Sequence, residues 1–89
     1  FGFPITLKEN SKTSRRELIN KLSEKKVGTR LVFAGNLTKQ PAYLNKKFRI
    51  SGDLKTTDIV MSNTFWVGIH PALGEEELSY TAKMIKESL

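Results

Sequence analysis

The sequence predicts an α+β fold, a three-stranded sheet with helices packed mainly on one face. Three patterns point there. The first seven residues alternate with period two. Two further short runs rich in β-branched and aromatic residues follow, TRLVF from Thr29 and FWVGIH from Phe65. Between and after them, apolar residues recur at helical spacing behind capping residues. At 89 residues the chain has room for one domain with a modest core.

In FGFPITL, Phe1, Phe3, Ile5 and Leu7 fall on one side and Gly2, Pro4 and Thr6 on the other, the pattern of a half-buried strand. Pro4 has no N–H to donate, so the strand is expected at an edge, or paired on one side only. After the polar KENSKT, Ser14-Arg15-Arg16-Glu17 has the form of a capping box. The Ser14 hydroxyl accepts from the Glu17 N–H, and the Glu17 carboxylate accepts from the Ser14 N–H. Leu18, Ile19 and Leu22 then form a narrow apolar stripe, Lys25 and Lys26 complement the helix dipole, and Gly28 is expected to end the element. TRLVF completes a strand–helix–strand order that resembles a βαβ crossover. Pairing to a third strand leaves a mixed or antiparallel sheet open.

Ala34 to Thr56 shows little periodicity. Structureless loops beyond ~12–15 residues are uncommon in compact domains and are usually functional or mobile. This one opens with Asn36, Thr38, Lys39 and Gln40, closed by Pro41, a polar run at the end of a rigid strand where binding residues tend to sit. Thr57-Asp58 begins a short helix with Ile59, Val60 and Met61 on its apolar side. In FWVGIH, Phe65, Val67 and Ile69 point one way. Gly74 N-caps the last helix, Glu75 to Glu77 load its first turn, and Leu78, Ala82, Ile85 and Leu89 recur along it. The expected core is Phe3, Ile5, Leu22, Phe33, Val67, Ile69, Leu78, Ala82 and Ile85.

Composition excludes several classes. Apolar residues make up 38% of the chain, too many for a disordered segment. No apolar run approaches the ~20 residues of a bilayer-spanning helix. Without cysteine there is no disulfide and no thiolate metal ligand. No nucleophile stands beside a base, no glycine-rich phosphate loop is present, and His70 has no carboxylate at a catalytic spacing. The chain begins at Phe, which is expected of a piece of something longer. Residues 1–57 carry 13 Lys/Arg against 4 Asp/Glu, and residues 58–89 carry 2 against 5. A basic half suits phosphate, in nucleic acid or nucleotide, and equally a solvated face. VFAGN and FWVGI lack the aromatic spacing of an RNA-recognition strand.

The segments VGTRLVFAGNLTKQPAY and TTDIVMSNTFWVGIHPALGEEEL, in this order with the two flanking helices, resemble the C-terminal end of the DegT/DnrJ/EryC/StrS sugar aminotransferase-like family. Within it the likeness is to the CDP-4-dehydro-6-deoxyglucose 3-dehydratases of lipopolysaccharide O-antigen biosynthesis. The resemblance implies a fold-type I aspartate aminotransferase architecture. Residues 1–89 would be its small C-terminal domain, closing over substrate held by a large N-terminal domain outside this chain. It implies pyridoxamine phosphate and a two-iron, two-sulfur cluster in that large domain, a nucleotide-sugar substrate, a reductase partner, a homodimeric full-length protein and a cytoplasmic location, with no nucleic-acid or membrane partner. An aminotransferase small domain would differ only in the large domain. The rival from another class is a free-standing basic module for phosphate-rich polymers. Carried onto this chain, the resemblance makes Asn36 and Gln40 hydrogen-bond partners of sugar or phosphate oxygens, with Lys39 and Arg30 as electrostatic contributors. Three strands and three helices with capped ends are expected to fold alone, without catalysing, and to expose an apolar patch around Trp66 and Val32 toward the large domain.

Overall fold

A computed structural model describes every residue from Phe1 to Leu89. Strand β1 (Gly2–Thr6) leads into helix α1 (Arg15–Glu24), followed by β2 (Thr29–Leu31), a short 3-10 turn (Leu37–Lys39), α2 (Lys55–Asn63), β3 (Thr64–Gly68) and α3 (Glu75–Ser88). The sheet order is β1-β3-β2, and β3 runs antiparallel to both neighbours. The βαβ order is therefore split. β1 and β2 are mutually parallel, but β3 lies between them and accepts both ladders.

Pro4 does stand on an outer strand. The bonds from Ile69 N–H to the Phe1 carbonyl and from Leu7 N–H to the Asn63 carbonyl flank the β1–β3 ladder. They place the odd-numbered residues of β1 in the hydrogen-bonded positions, so the donor Pro4 lacks would have faced the open edge. Beneath the sheet, Phe65 and Val67 of β3 pack with Leu7, with Leu18 and Leu22 of α1, and with Val27 and Met84, while Ile5, Ile19 and Ile85 border them. The opposite face carries Trp66, which lies over Gly2 and meets the Phe1 ring edge-on at 4.9 Å between centroids. A Cβ at position 2 would sit 2.2 Å from the indole, so glycine is required there.

The helix ends are set by side chains. The Ser14–Glu17 capping box is formed in both directions. Helix α1 stops earlier than Gly28 suggests. Val27 N–H donates to the Leu22 carbonyl and Lys26 N–H to that of Ser23, a Schellman motif that puts Lys26 at φ 60°. Its usual apolar contact is met by Val27 and Leu22, both in the core. At α3, Glu77 accepts the Gly74 N–H at 2.9 Å. Arg15 reaches from α1 to the carbonyls of Met61 (2.6 Å) and Thr64 (3.1 Å), capping the C-terminal end of α2 where it runs into β3. Helix α2 starts at Lys55, two residues before the expected Thr57, behind Leu54 in a left-handed conformation.

Several expected core positions are exposed. Leu22 and Val67 are buried and Ile5 and Ile85 half-buried, but Phe3, Phe33, Ile69, Leu78 and Ala82 lie open. Two causes account for this. Strand β2 ends at Leu31, so Phe33 falls in a turn. Helix α3 turns Met84 and Ser88 inward, leaving its Leu78–Ala82 stripe to line an apolar groove with Phe3, Ile5 and Ile69 beside the β1 edge. Trp66 and Val32, expected to form an exposed apolar patch, are half-buried, and this groove is a second apolar surface on the opposite face. No helix is long and apolar enough to cross a membrane.

Candidate functional site

The segment after β2 is folded by its own backbone. Phe33 N–H donates to the Leu31 carbonyl (2.9 Å) and Gly35 N–H to the Val32 carbonyl (3.0 Å), so the chain reverses within five residues. Gly35 is required on two counts. Its φ is 59°, and a Cβ there would sit 2.5 Å from the Met61 Cγ of α2. That close approach seats the turn on α2. Phe33 also has a positive φ, 27°, unfavourable for an aromatic residue, and its ring is 85% exposed.

Asn36 follows and is only 2% exposed. Its Oδ1 accepts from the Thr38 N–H (3.0 Å) and the Thr38 hydroxyl (2.7 Å), capping the Leu37–Lys39 turn. Its Nδ2 donates to Asp58 Oδ1 at 2.7 Å, and its backbone N–H points to the Met61 sulfur at 3.4 Å. Both acceptor positions of the amide oxygen are thus filled within the chain, and one amide N–H remains to offer. The other oxygen of Asp58 lies 2.8 Å from Lys39 Nζ. The Lys39 hydrogen bond first, and the Asn36 bond second, hold the Asp58 carboxyl below its ordinary range against a smaller desolvation effect. Gln40 closes the turn. Its Nε2 donates to the Ala34 carbonyl at 2.5 Å, and its amide oxygen makes no bond within the chain.

Of the four residues singled out from sequence, the fold joins Asn36 and Lys39 through Asp58, and Gln40 closes the same turn on the Ala34 carbonyl. Arg30 is not part of it. It pairs in register with Trp66 and shares that residue's face of the sheet. Sequence reasoning placed Asp58 at the start of a helix and missed it as a partner, although it is the acid that ties Asn36 and Lys39 to α2. His70 has its Nδ1 occupied by the Ala72 N–H at 3.1 Å. The cluster therefore offers amide and hydroxyl hydrogen bonding with a neutralised ion pair. It can bind and orient an oxygen-rich ligand, and Asp58, ionised and paired, is a poor proton acceptor.

Residues 1–86 match the DegT/DnrJ/EryC1/StrS aminotransferase family. The chain belongs to this family. Its sequence is 53% identical over 87 residues to the lipopolysaccharide biosynthesis protein RfbH of Salmonella typhimurium, covering 98% of this chain and 20% of that protein. It is 39% identical over 87 residues to the dTDP-4-dehydro-2,6-dideoxy-D-glucose 3-dehydratase of Saccharopolyspora spinosa, again over 98% of the chain and 19% of the relative. A GDP-4-keto-6-deoxy-D-mannose 3-dehydratase of Yersinia pseudotuberculosis is 28% identical over 88 residues, 98% of the chain and 22% of the relative. The chain thus spans about a fifth of the length of these DegT/DnrJ/EryC1/StrS relatives.

Proposed function

We propose that this chain is the small domain of a nucleotide-sugar 3-dehydratase, closing over CDP-4-dehydro-6-deoxyglucose in lipopolysaccharide biosynthesis. One observation carries the reading: the whole chain is similar to two proteins named as 3-dehydratases of nucleotide-linked sugars with a carbonyl at C4. Their sugars and nucleotides differ, but loss of the C3 hydroxyl beside that carbonyl is common to both names. The similarity to a lipopolysaccharide biosynthesis protein supports the pathway. In this reading the free amide oxygen of Gln40 accepts from a sugar hydroxyl and the remaining N–H of Asn36 donates to a sugar oxygen. Lys39, paired with Asp58, adds a partly exposed ammonium donor rather than net charge, and a large domain outside this chain completes the site.

The family resemblance also brings pyridoxamine phosphate and a two-iron, two-sulfur cluster into the proposal, together with a reductase and a homodimeric full-length protein. The residues of this chain do not fit either cofactor. It has no cysteine to offer a thiolate, and its one histidine is engaged in a turn. Both groups would be held outside these 89 residues.

The test is an assay of the complete polypeptide on CDP-4-dehydro-6-deoxyglucose, with a reductase and its electron donor supplied and the product read by NMR. Loss of the C3 hydroxyl is the expected outcome. An amino sugar would establish the aminotransferase alternative. Tight nucleic-acid binding near physiological salt without sugar turnover would replace both with a basic binding module.

A further inference from the structure

Beyond Gln40 the chain leaves the body of the fold. Residues 41–53 are all exposed, and the Cα radius of gyration, 15.6 Å, exceeds the ~12 Å of a compact domain of this length. The segment is nonetheless anchored to the site. Tyr43 N–H donates to the Gln40 carbonyl (2.9 Å) and Lys46 N–H to the Tyr43 carbonyl (3.0 Å), so it departs from Gln40 in successive turns. Tyr43 and Phe48 then meet edge-to-face at 6.4 Å between centroids, each residue still close to half exposed (45% and 44%). Lys46 and Lys47 lie between the two rings in sequence, and Arg49 follows Phe48. Pro41 to Gly52 contains no acidic residue, and none of the three cations belongs to any of the chain's ion pairs.

We infer that this arm is the subsite for the nucleoside diphosphate portion of the substrate, with the diphosphate on Lys46, Lys47 and Arg49 and the base against Tyr43 and Phe48. The inference rests on the nucleotide-sugar reading above and extends it from the sugar to the group that carries it. Three unpaired cations on twelve residues without an acid suit a compact polyanion, and Arg49 can take phosphate oxygens two at a time. Half-exposed aromatic faces suit a planar base, which stacks with little dependence on its identity. Anchorage to Gln40 links the two halves of one ligand, the sugar at the amide cluster and the nucleotide beyond it.

The experiment is titration calorimetry of the complete polypeptide with CDP, dTDP, GDP and inorganic pyrophosphate. The triple variant Lys46→Ala, Lys47→Ala, Arg49→Ala should weaken all four by roughly tenfold or more and flatten their salt dependence. Phe48→Leu should weaken the nucleoside diphosphates several-fold, on the order expected for a lost stacking contact, and leave pyrophosphate unchanged. The side chains of Lys46, Lys47, Arg49 and Phe48 make no hydrogen bonds in the fold, so melting temperatures are expected to hold. Unchanged dissociation constants in both variants overturn the arm as the nucleotide subsite. So does a fall in melting temperature without a change in affinity, which would mean that the arm packs on protein. The two readings separate cleanly. Arm-dependent nucleotide binding without dehydration sinks the proposed reaction alone, whereas dehydration with arm-independent binding sinks this inference alone.

Discussion

Asn36 and Asp58, separated by 22 positions, are joined by a 2.7 Å hydrogen bond that pins the turn after β2 to the first turns of α2. Through it, folding and the candidate site share one carboxylate. Because its folded pKa lies below the ordinary aspartate value, Asp58 contributes stability above that value and loses it as pH falls through the folded pKa. Glu17 behaves likewise, held low by its bonds to the Ser14 N–H and hydroxyl. The melting temperature should therefore be flat from neutral pH to about pH 5 and fall below it, as carboxylates held low in the folded state become protonated. Asp58→Asn should lower the neutral-pH melting temperature and remove part of the acid slope, and Glu17→Gln a separate part. An unaltered slope in Asp58→Asn would show that the carboxylate is not coupled to folding.

Asn36 and Gln40 should separate in their effects. Asn36→Ala leaves the Asp58 carboxylate and both Thr38 donors without their partner, and should cost about 1–3 kcal/mol in denaturant unfolding. Gln40→Ala loses one bond to the Ala34 carbonyl, about 1 kcal/mol. In the proposed dehydration by the complete polypeptide, however, it should lower kcat/KM roughly tenfold for each ~1.4 kcal/mol of substrate bonding removed. Wild-type kinetics in Gln40→Ala would remove that residue from the site.

Truncating the two phenylalanines tests where the core lies. Phe65 is wholly buried, and Phe65→Ala should cost about 3–5 kcal/mol. Phe33→Ala, from an 85% exposed position, should stay within about 0.5 kcal/mol of wild type. Equal losses in the two variants would contradict the strand end at Leu31.

Lys26 occupies a left-handed position that glycine adopts without penalty. Lys26→Gly should stabilise the domain by up to about 1 kcal/mol, raising the melting temperature by roughly 4–8 °C. A lower melting temperature would mean that the Lys26 side chain contributes more than its backbone costs.

What the sequence displays locally, the structure keeps. The Ser14–Glu17 box, the Leu18–Ile19–Leu22 stripe and the glutamate-rich start of α3 each depend on neighbours a few residues away, whereas the period-two face of β1 is kept only at Ile5 and Leu7, with Phe3 open and the Phe1 ring against Trp66 on the opposite face. What depends on distant partners was not legible. The Met61 side chain pressed against Gly35 belongs with the early reversal that removes Val32 and Phe33 from the strand. The rotation of α3 rests on Met84 joining the core cluster of Phe65 and Leu22, a fit that helical spacing cannot choose over the Leu78–Ala82 stripe. For the site, the polar run announced itself at the end of a strand. That Asn36 spends most of its bonding capacity on Thr38 and Asp58 required α2 to be in place.

Pro4 has a consequence for how this domain keeps company with other proteins. A strand approaching the open side of β1 would find no donor at Pro4, between Gly2 and Thr6. On the far side, β2 offers only three residues, with charged Arg30 in the middle. Both margins of the sheet are thus poor templates for strand addition, the backbone route by which exposed sheets grow into aggregates. The apolar groove between β1 and α3 has no such guard. Association by this domain should therefore proceed through side-chain packing, which depends on the shape of the partner, rather than through backbone pairing, which accepts almost any extended segment.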